Sequence, residues 1–520
     1  MAQLSSKSKL EKEGILTSFL GGLNKSLPPS SIGNDELVDA TNWFYDPLTG
    51  FLTTRPGLVR YSAAALPNGA YAVSMGEYIS GGNVYIVVAS SDQKLYYLDA
   101  TQHPVLIGAL TGSQRPTYSQ MNSLLVIASG GVLQTWNGPP NGLTNTTSPN
   151  ENYISDFSKK SEARIVAIGN GADRIDLSGS DDGTNWTFDA GVEDQAKYFT
   201  AGYGDGMSIS GIGSYRGYTF VFKRATTGRG KRLYIANIQP ISSSWTCYEM
   251  TTQHTALNPY FVKELNEGLF FVDLEGPKTI IAVENLADVP IIITAPGMPN
   301  DPVNGIKIAG EIQQFITIDG FTIFDPVYQM FMVKPSENAS TFYCLSFLTR
   351  KWTYWSSPLN IQCGEYVDGL MLFGATDGYV YQYSKTVDQD NGVAYQKTVE
   401  TKYFKLDSLF RDVVDFVEID YLGLMNGSMI ITPKQKGSQL TNANGVFSQV
   451  SDFNQTWWTW AQVNAVTPAD WTESLQKNVY ATVNLNNKLP GDFVSFQIAI
   501  TSGLAALSQL RGKVVAAGRS

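Results

Sequence analysis

The 520-residue chain is short of charge, cysteine and histidine, and each shortage excludes a class of function. Charged residues make up 16% of the sequence, against about 25% in an average globular protein. The three cysteines, Cys247, Cys344 and Cys363, are too few and too scattered for a disulfide framework or a zinc site. The two histidines, His103 and His254, are too few for metal chemistry based on imidazole. The sequence therefore predicts no bound metal and no cofactor.

The chain also lacks long apolar runs and an excess of positive charge. It contains no stretch of about 18 apolar residues, so no transmembrane helix and no membrane anchor are predicted. The charged residues 1–14 are not followed by the apolar segment of a signal peptide, and we expect folding in a reducing cytoplasm. The net charge of −10 argues against tight binding of nucleic acid, which needs many lysines and arginines to displace counterions.

What the sequence does contain is a repeated pattern of an apolar strand, a short turn rich in Gly, Asp and Ser, and a second strand. The copies begin near Val84, Leu124, Ile165, Tyr218, Leu269, Met330 and Leu370. A repeat of about 40–50 residues is typical of the blades of a β-propeller, which bury their faces only against neighbouring blades. The sequence thus predicts an all-β fold with a β-propeller of seven blades, or alternatively six.

The pattern divides the chain into three parts. Residues 1–60 are expected to form an N-terminal arm and base segment, and residues 61–395 the β-propeller. Residues 396–520 read as a C-terminal β domain, because Val494–Ile500 alternates between apolar and polar residues. We expect this domain to be an antiparallel β-sandwich, with an insertion over 436–475 whose role the sequence leaves open.

One local excess of positive charge stands out in this acidic chain. Between Lys223 and Arg232, five of ten residues are basic. One interpretation is a solvated hairpin loop. The other is a contact with an acidic partner surface or with DNA in transit.

The segment Ser178–Trp186 is similar to the Ser-x-Asp-x-Gly-x-x-Trp turn of sialidase-type propellers. That turn is structural, because its acidic side chain bonds turn amides and its tryptophan packs between blades. We therefore expect a structural role for this copy. Asp181 and Asp182 supply too few oxygens for a calcium loop.

No arrangement of residues predicts catalysis. A sialidase needs converging arginines, and the spacing of the six candidates does not indicate that they converge: Arg55, Arg60, Arg115, Arg164, Arg174 and Arg216. The glycines from Gly202 to Gly213 are predicted to form turns, since no strand–helix context of a phosphate cradle follows them. Two interpretations apply to Trp457, Trp458 and Trp460: a platform for a sugar, or packing in a core or an interface, which is favoured. We expect a protein that is not an enzyme, with no catalytic, cofactor-binding or metal-binding residue.

Several short segments carry a resemblance to a known family. They are Gly21–Asn24, Asp39–Asn42, Asp46, Gly50 and Arg55–Gly57, then Asp205–Arg216, then Thr401–Phe404 and Val417–Tyr421. In this order they resemble segments of the tail nozzle, or hub, proteins of short-tailed bacteriophages, which stabilise packaged DNA below the portal. The insertion at 436–475 departs from this resemblance.

The resemblance implies a structural virion protein without enzymatic activity. Six copies would form a ring that continues the tail channel, with an adaptor ring above, a tail needle or plug below, and tail fibres or spikes on its flank. Residues 1–60 would pack beside the C-terminal domain. Contact with genomic DNA would be transient and non-specific, and the protein would reach the virion tail after assembly in the host cytoplasm.

Two other classes of function remain open. One is a propeller glycoside hydrolase or lyase, or a polysaccharide-binding protein of the tailspike type. The other is a cellular propeller scaffold that binds peptides as a monomer. Turnover of capsular sugar would favour the first of these classes.

Overall fold

The structure is a computed structural model. It describes residues 11–154, 164–169, 173–225, 230–238, 241–266, 268–282, 290–293, 311–384, 386–405, 412–422, 428–435, 479–484, 493–502 and 505–516. The insertion 436–475, its three tryptophans and residues 1–10 of the expected arm lie outside these ranges. Nearly all regular structure is β-strand, in many small sheets, which is consistent with a β-propeller. In the described part of the chain, no helix combines the length and hydropathy of a membrane span.

The chain separates into two compact units. Unit 1 consists of Met1–Gly57, Tyr343–Pro358 and Ser384–Ser520, and unit 2 of Leu58–Phe342 and Leu359–Tyr383. Unit 1 is therefore discontinuous in sequence. The three-part division expected from the sequence stays a prediction.

The strands are numbered in chain order. The first five are β1 (Glu11–Thr17), β2 (Gly22–Leu23), β3 (Glu36–Thr41), β4 (Trp43–Tyr45) and β5 (Leu52–Thr54). The next are β6 (Gly57–Arg60), β7 (Ala72–Ser80), β8 (Asn83–Ser90), β9 (Lys94–Leu98), β10 (Pro104–Ala109), β11 (Thr117–Met121), β12 (Leu124–Ala128), β13 (Val132–Trp136), β14 (Thr144–Ile154), β15 (Val166–Gly169), β16 (Arg174–Leu177) and β17 (Lys197–Thr200). They are followed by β18 (Ser208–Tyr215), β19 (Tyr218–Arg224), β20 (Lys231–Asn237), β21 (Thr246–Thr251), β22 (Lys263–Leu265), β23 (Gly268–Asp273), β24 (Gly276–Ala282), β25 (Pro290–Ile293), β26 (Phe321–Asp325) and β27 (Met330–Lys334).

The remaining strands complete both units. They are β28 (Thr341–Ser346), β29 (Trp352–Ser356), β30 (Ile361–Val367), β31 (Leu370–Ala375), β32 (Val380–Ser384), β33 (Gln389–Asp390), β34 (Val393–Ala394), β35 (Lys397–Thr401), β36 (Phe404–Lys405), β37 (Asp412–Leu422), β38 (Ser428–Gln435), β39 (Val479–Asn484), β40 (Phe493–Ser502) and β41 (Ala506–Ala516). The described helical segments are short: residues 311–315 and the 3-10 turns Pro67–Gly69, Ser242–Ser244 and Pro259–Phe261.

Unit 2 is a succession of antiparallel meanders. Three sheets of four strands are β7–β10, β18–β21 and β22–β25, and strands β11–β17 follow one another in a longer series. The predicted hairpins β8–β9, β12–β13, β15–β16, β19–β20, β23–β24 and β31–β32 all form. The hairpins form where predicted because each pair combines a buried apolar strand with a tight turn. In these turns Gln93 and Gly378, for example, adopt positive φ.

The core of unit 2 lies between consecutive meanders. Tyr78 and Tyr85 of the first sheet pack on Trp136 of the second, with ring centroids 5.1 and 5.9 Å apart. Phe222 of β19 packs on Phe271 of β23 at 4.9 Å. Each sheet thus buries its face against the next sheet in sequence, as repeated meanders require.

Unit 1 contains two sheets that share one core. The first has the order β39-β37-β41-β5-β4 with β1 beside β41, and the second includes β28-β29-β3-β35-β40-β36 with β2 beside β3 and β38 beside β40. Strand β29 contributes Trp352, Tyr354 and Trp355, which are all buried. Trp43, Tyr45 and Leu52 from the N-terminal strands share a buried cluster with Phe496 and Leu507 from the C-terminal strands. N-terminal and C-terminal segments therefore build one hydrophobic core.

Candidate functional site

A cavity of about 440 Å³ lies within unit 2 and is lined by residues of β7, β11, β14, β22, β26 and β30. Of these strands, β7, β11, β22, β26 and β30 are each the outermost strand of a sheet. One backbone edge of such a strand has no strand partner, and its N–H and C=O groups need other partners. This requirement explains why many residues of the cavity wall are polar.

Side chains of the wall take the place of missing strand partners. Gln120 donates its Nε2 to the carbonyl of Ile79 at 2.7 Å and accepts from the Ile79 N–H at 2.9 Å. Glu264 Oε1 accepts from the Ser214 N–H at 2.9 Å. These polar groups hold neighbouring sheets together, so a polar residue on this wall is not by itself evidence of a ligand.

The acidic residues of the wall have partners within the chain. Lys263 Nζ lies 3.6 Å from Glu365 Oε2, with both side chains about one-third exposed at 32% and 33%. Glu77 Oε2 accepts from the backbone N–H of Asp368 at 3.2 Å. The acidic and basic groups of the cavity therefore partly compensate each other.

Arg115 is a positively charged residue of the wall that is held mainly by aromatic contacts. Its guanidinium lies 4.3 Å from the ring centroid of Phe321 and 5.5 Å from that of Tyr260. Its Nη1 donates to the carbonyl of Gln362 at 3.0 Å. Burial raises the pKa of Tyr260 to about 12, so its hydroxyl stays protonated and donates to the Arg115 carbonyl at 2.7 Å.

A second cation lies on the same aromatic ring. Lys334 Nζ is 5.5 Å from the Phe321 centroid and donates to the carbonyl of Ile361 at 2.6 Å. Burial, and then the positive charge of Arg115, lower the pKa of Lys334 to about 8. The two cations therefore disfavour each other, and an anion near them would relieve this repulsion.

The nucleophilic groups of the wall are unreactive at neutral pH. Burial raises the pKa of Cys363 to about 12, and it also raises the pKa of Tyr118. A thiol or phenol that holds its proton this strongly is a poor nucleophile.

The basic segment Lys223–Arg232 is neither a solvated loop nor a free basic patch in its described part. Lys223 Nζ is fully buried and lies 2.5 Å from Asp173 Oδ1 and 2.7 Å from Asp205 Oδ1. Lys231 Nζ lies 2.7 Å from Asp273 Oδ1. Their carboxylate partners are 18 to 50 residues away in sequence, which is why the segment alone looked unpaired. Residues 226–229 lie outside the described ranges.

The six arginines considered for carboxylate binding have separate partners, and Arg115 is the one that lines the cavity. Arg55 pairs with Asp390, Arg60 lies over Tyr379, Arg164 donates to the carbonyls of Ser178 and Gln195, Arg174 pairs with Asp176, and Arg216 lies over Tyr215. They do not form the arginine cluster of a sialidase.

The sialidase-like turn has the structural role expected from its sequence. Trp186 is buried beside residues of β12 and β15 and donates its Nε1 to the carbonyl of Gly183 at 3.0 Å. Asp182 Oδ1 accepts from the N–H of Thr184 at 2.9 Å. The acidic side chain therefore closes the turn, and the tryptophan packs against strands of the β11–β17 series.

The glycine-rich segment has two structural roles. Gly202, Gly204 and Gly206 adopt positive φ in turns, as predicted. The prediction is wrong for Gly211 and Gly213, which lie inside β18. A Cβ at Gly213 would lie 2.7 Å from side-chain atoms of both Leu269 and Val262, so glycine is needed there for close packing between strands.

Two of the N-terminal segments that carry the family resemblance meet in unit 1. Asn42 Oδ1 accepts from Arg55 Nε at 2.9 Å and from the Ser356 N–H at 2.8 Å. Arg55 in turn binds both oxygens of Asp390, at 2.8 and 2.5 Å. A Cβ at Gly57 would lie 2.2 Å from the carbonyl oxygen of Gln389. These residues form a buried polar node, and no pattern in the sequence indicates that Asp390 completes it.

Comparisons with known proteins find solved structures of low similarity to this chain. No family model and no curated protein matches the chain. Among solved structures, BamB from Moraxella catarrhalis has a TM-score of 0.35 at 10% identity, covering 67% of this chain and 94% of its own. The computationally designed Ika8 protein has a TM-score of 0.35 at 12% identity, covering 61% and 98%. BBS1N, in complex with ARL6DN, has a TM-score of 0.38 at 12% identity, covering 67% and 99%.

Proposed function

We propose that this chain is a structural virion protein that forms the tail nozzle, or hub, of a short-tailed bacteriophage. The observation that carries the proposal is the pairing of N-terminal with C-terminal strands in unit 1. Strand β3 pairs with β35, and both β1 and β5 pair with β41. The family resemblance implies this arrangement for residues 1–60, which would pack beside the C-terminal domain.

The buried node around Arg55 supports the same proposal. Its members include Asn42, Arg55 and Gly57, all of which belong to the segments that resemble nozzle proteins. The Arg55 guanidinium and the Asn42 amide each have specific hydrogen-bond partners in this node, and Gly57 has no room for a Cβ. Such residues are hard to exchange without loss of the node, so they are the kind of sequence feature that a shared fold retains.

The fold that we propose is a β-propeller of seven blades, with six as the alternative, joined to a β-sandwich built on the C-terminal strands. Seven hairpin copies in the sequence support the count. Six series of strands begin with β7, β11, β18, β22, β26 and β30, and the series β11–β17 is long enough to supply a seventh blade under this proposal. A blade count from an experimental map of the protein would decide between seven and six.

We propose a closed cyclic homo-oligomer, most simply a hexamer, whose central channel conducts DNA. An adaptor ring would bind above, a needle or plug below, and fibres or spikes at the side. The net charge of −10 suits this role, because an acidic or neutral wall repels a duplex that carries one charge per about 1.7 Å. Salt limits the repulsion to about 8 Å, so it acts only in a narrow channel.

Imaging of intact virions tests this proposal. We expect six copies of the protein around the tail axis below the portal, with no catalytic role. The mass of the purified protein, alone and with the adaptor, would show whether the ring forms only on that template. If the protein were found as trimers at the tail periphery or as capsid spikes, its proposed role as a DNA conduit would be contradicted.

A second function is favoured by the cavity of unit 2: binding or hydrolysis of a polysaccharide, as in a tailspike. Glu77, Glu264 and Glu365 line one space together with Arg115. The purified protein should be assayed for binding and turnover of capsular polysaccharide. Turnover that is lost in Glu365→Gln would favour this function over the nozzle. If the protein shows no binding and no turnover, this function is excluded.

A further inference from the structure

A group of three potential ligands lies in unit 2 and does not line the cavity. Among the described residues, His254, Asp273 and Glu275 place their ligand-type atoms within 4.8 Å of one another. His254 follows β21, Asp273 ends β23, and Glu275 lies in the hairpin turn between β23 and β24. The hairpin therefore fixes two of the three residues, and a separate loop supplies the histidine.

Two buried atoms of this group have no hydrogen-bond partner. They are His254 Nδ1 and Asp273 Oδ2, on residues that are 9% and 0% exposed. These two atoms face each other at 3.7 Å, a distance that allows an ion pair with a protonated imidazole but is too long for a hydrogen bond. The separation is close to that of two ligands on one metal ion, since two bonds of about 2.0–2.2 Å at a tetrahedral angle place their donors about 3.4 Å apart.

We propose that His254 Nδ1, Asp273 Oδ2 and one oxygen of Glu275 bind a divalent transition-metal ion, with Zn²⁺ as the best fit. An imidazole nitrogen with carboxylate oxygens is a donor set that Zn²⁺ accepts in four-coordinate sites. The Glu275 side chain is 54% exposed, and its Oε1 accepts from Lys231 Nζ at 3.2 Å. Binding the ion would take one Glu275 oxygen from its lysine partner, and water would complete the coordination. The ion would satisfy both orphaned atoms, which is the feature that points to a ligand rather than to packing alone.

Two lysines beside the group set its affinity. Lys231 Nζ lies 2.7 Å from Asp273 Oδ1, and Lys278 Nζ lies 3.4 Å from Glu275 Oε2. Lys231 uses the other oxygen of Asp273, so it leaves Oδ2 available to the ion. Its positive charge nevertheless opposes a dication, and its removal should strengthen metal binding.

Calorimetric titration of the metal-free, full-length protein with ZnCl₂ tests the proposal. We expect binding at one site, and a Kd at least tenfold weaker in His254→Gln. The matched control is His103→Gln, because His103 is the chain's other histidine and is exposed at the surface. Equal Zn²⁺ affinity in wild type and His254→Gln, or equal losses in both histidine variants, would overturn the site.

Two further measurements keep the test independent of the folding of His254→Gln. Glu275→Gln changes an exposed side chain, and we expect it to weaken Zn²⁺ binding by a smaller factor than His254→Gln. Lys231→Met should bind Zn²⁺ more tightly than wild type, and saturating ZnCl₂ should raise its Tm by more than that of wild type. Unchanged affinity in both variants would contradict the assignment.

Discussion

Arg55 and Asp390 form a fully buried ion pair with two hydrogen bonds, although 335 residues separate them in sequence. The guanidinium also stacks against the ring of Tyr395, with its carbon 3.5 Å from the ring centroid, and lies 5.0 Å from that of Trp355. A planar guanidinium can make both kinds of contact at once, whereas an ammonium cannot. The pair therefore ties the N-terminal segment of unit 1 to two later segments of the same unit.

Replacement of Arg55 should destabilise the protein strongly. Arg55→Met leaves the carboxylate of Asp390 buried without its partner, and we expect a loss of about 3–5 kcal/mol in the free energy of unfolding. Arg55→Lys should recover only part of this loss, because it makes one contact with Asp390 in place of two. Urea denaturation followed by circular dichroism measures both. Arg60→Lys is the control, since Arg60 lies at the surface, and an equal effect there would refute the argument.

Gly57 should not tolerate a methyl group. In Gly57→Ala the new Cβ would lie 2.2 Å from the Gln389 carbonyl oxygen, and backbone atoms of that strand cannot move aside independently. We expect failure to fold or a loss of several kcal/mol. Gly50→Ala is the matched control, because Gly50 has φ of +70° but nothing within 4 Å of a Cβ, and its penalty should be about 1 kcal/mol. Similar melting temperatures for the two variants would contradict this prediction.

Lys223 is predicted to stabilise unit 2 through its buried ammonium group. Lys223 Nζ contacts the carboxylates of Asp173 and Asp205 and also the carbonyls of Ala201 and Gly202, at 2.8 and 3.0 Å. Lys223→Met removes all four contacts and should cost about 3–5 kcal/mol. Thermal denaturation measures the effect. In Asp205→Asn the loss should be smaller, and Asp205→Asn should add little to the loss in Lys223→Met, because both changes break one network.

Glu151 should make stability fall as the pH rises. Its side chain is buried, and burial, followed by the charge of Asp176, raises the pKa of Glu151 to about 9. In the unfolded chain the same carboxyl ionises near pH 4.3. The folded state therefore holds a proton that the unfolded state releases, and its stabilising contribution is lost progressively between about pH 4 and pH 9.

Glu151→Gln tests this pH dependence directly. The variant keeps the shape of the protonated acid without its titration, so its unfolding free energy should decline less from pH 5 to pH 8, and it should exceed wild type at pH 8. The control is Glu249→Gln, which removes a carboxylate at the surface. Parallel stability curves for wild type and Glu151→Gln would show that Glu151 does not titrate in this range.

The local pattern of the sequence was sufficient to predict the hairpins, because strand period and turn chemistry are both encoded within about ten residues. Val84–Val88 with Leu95–Leu98, and Tyr218–Phe222 with Leu233–Ile235, lie in paired strands as expected. The buried ion pairs could not be predicted in this way. Asp390 and Asp173 look like ordinary turn residues in the sequence, and only the fold brings them to Arg55 and Lys223.

The cavity and the His254 group were missed for the same reason. The cavity wall is assembled from strands that span residues 74 to 366, and no single segment carries its pattern. Histidine scarcity argued against imidazole chemistry, and only the fold brings His254 beside two carboxylates of one hairpin. A signal was available in Asp273, which ends a strand, and Glu275, which lies in the tight turn after it, but such turns are common in any β protein.

The discontinuity of unit 1 has a consequence for synthesis on the ribosome. Leu52 pairs with Leu507, so a strand that emerges early waits for one made 455 residues later. At roughly 5–20 residues per second, this delay is about 20–90 seconds. During that interval the edges of the N-terminal strands lack their final partners, while the chain of unit 2 is already being completed. The newly made protein is therefore most exposed to aggregation, and most dependent on chaperones, shortly before its last strand leaves the ribosome.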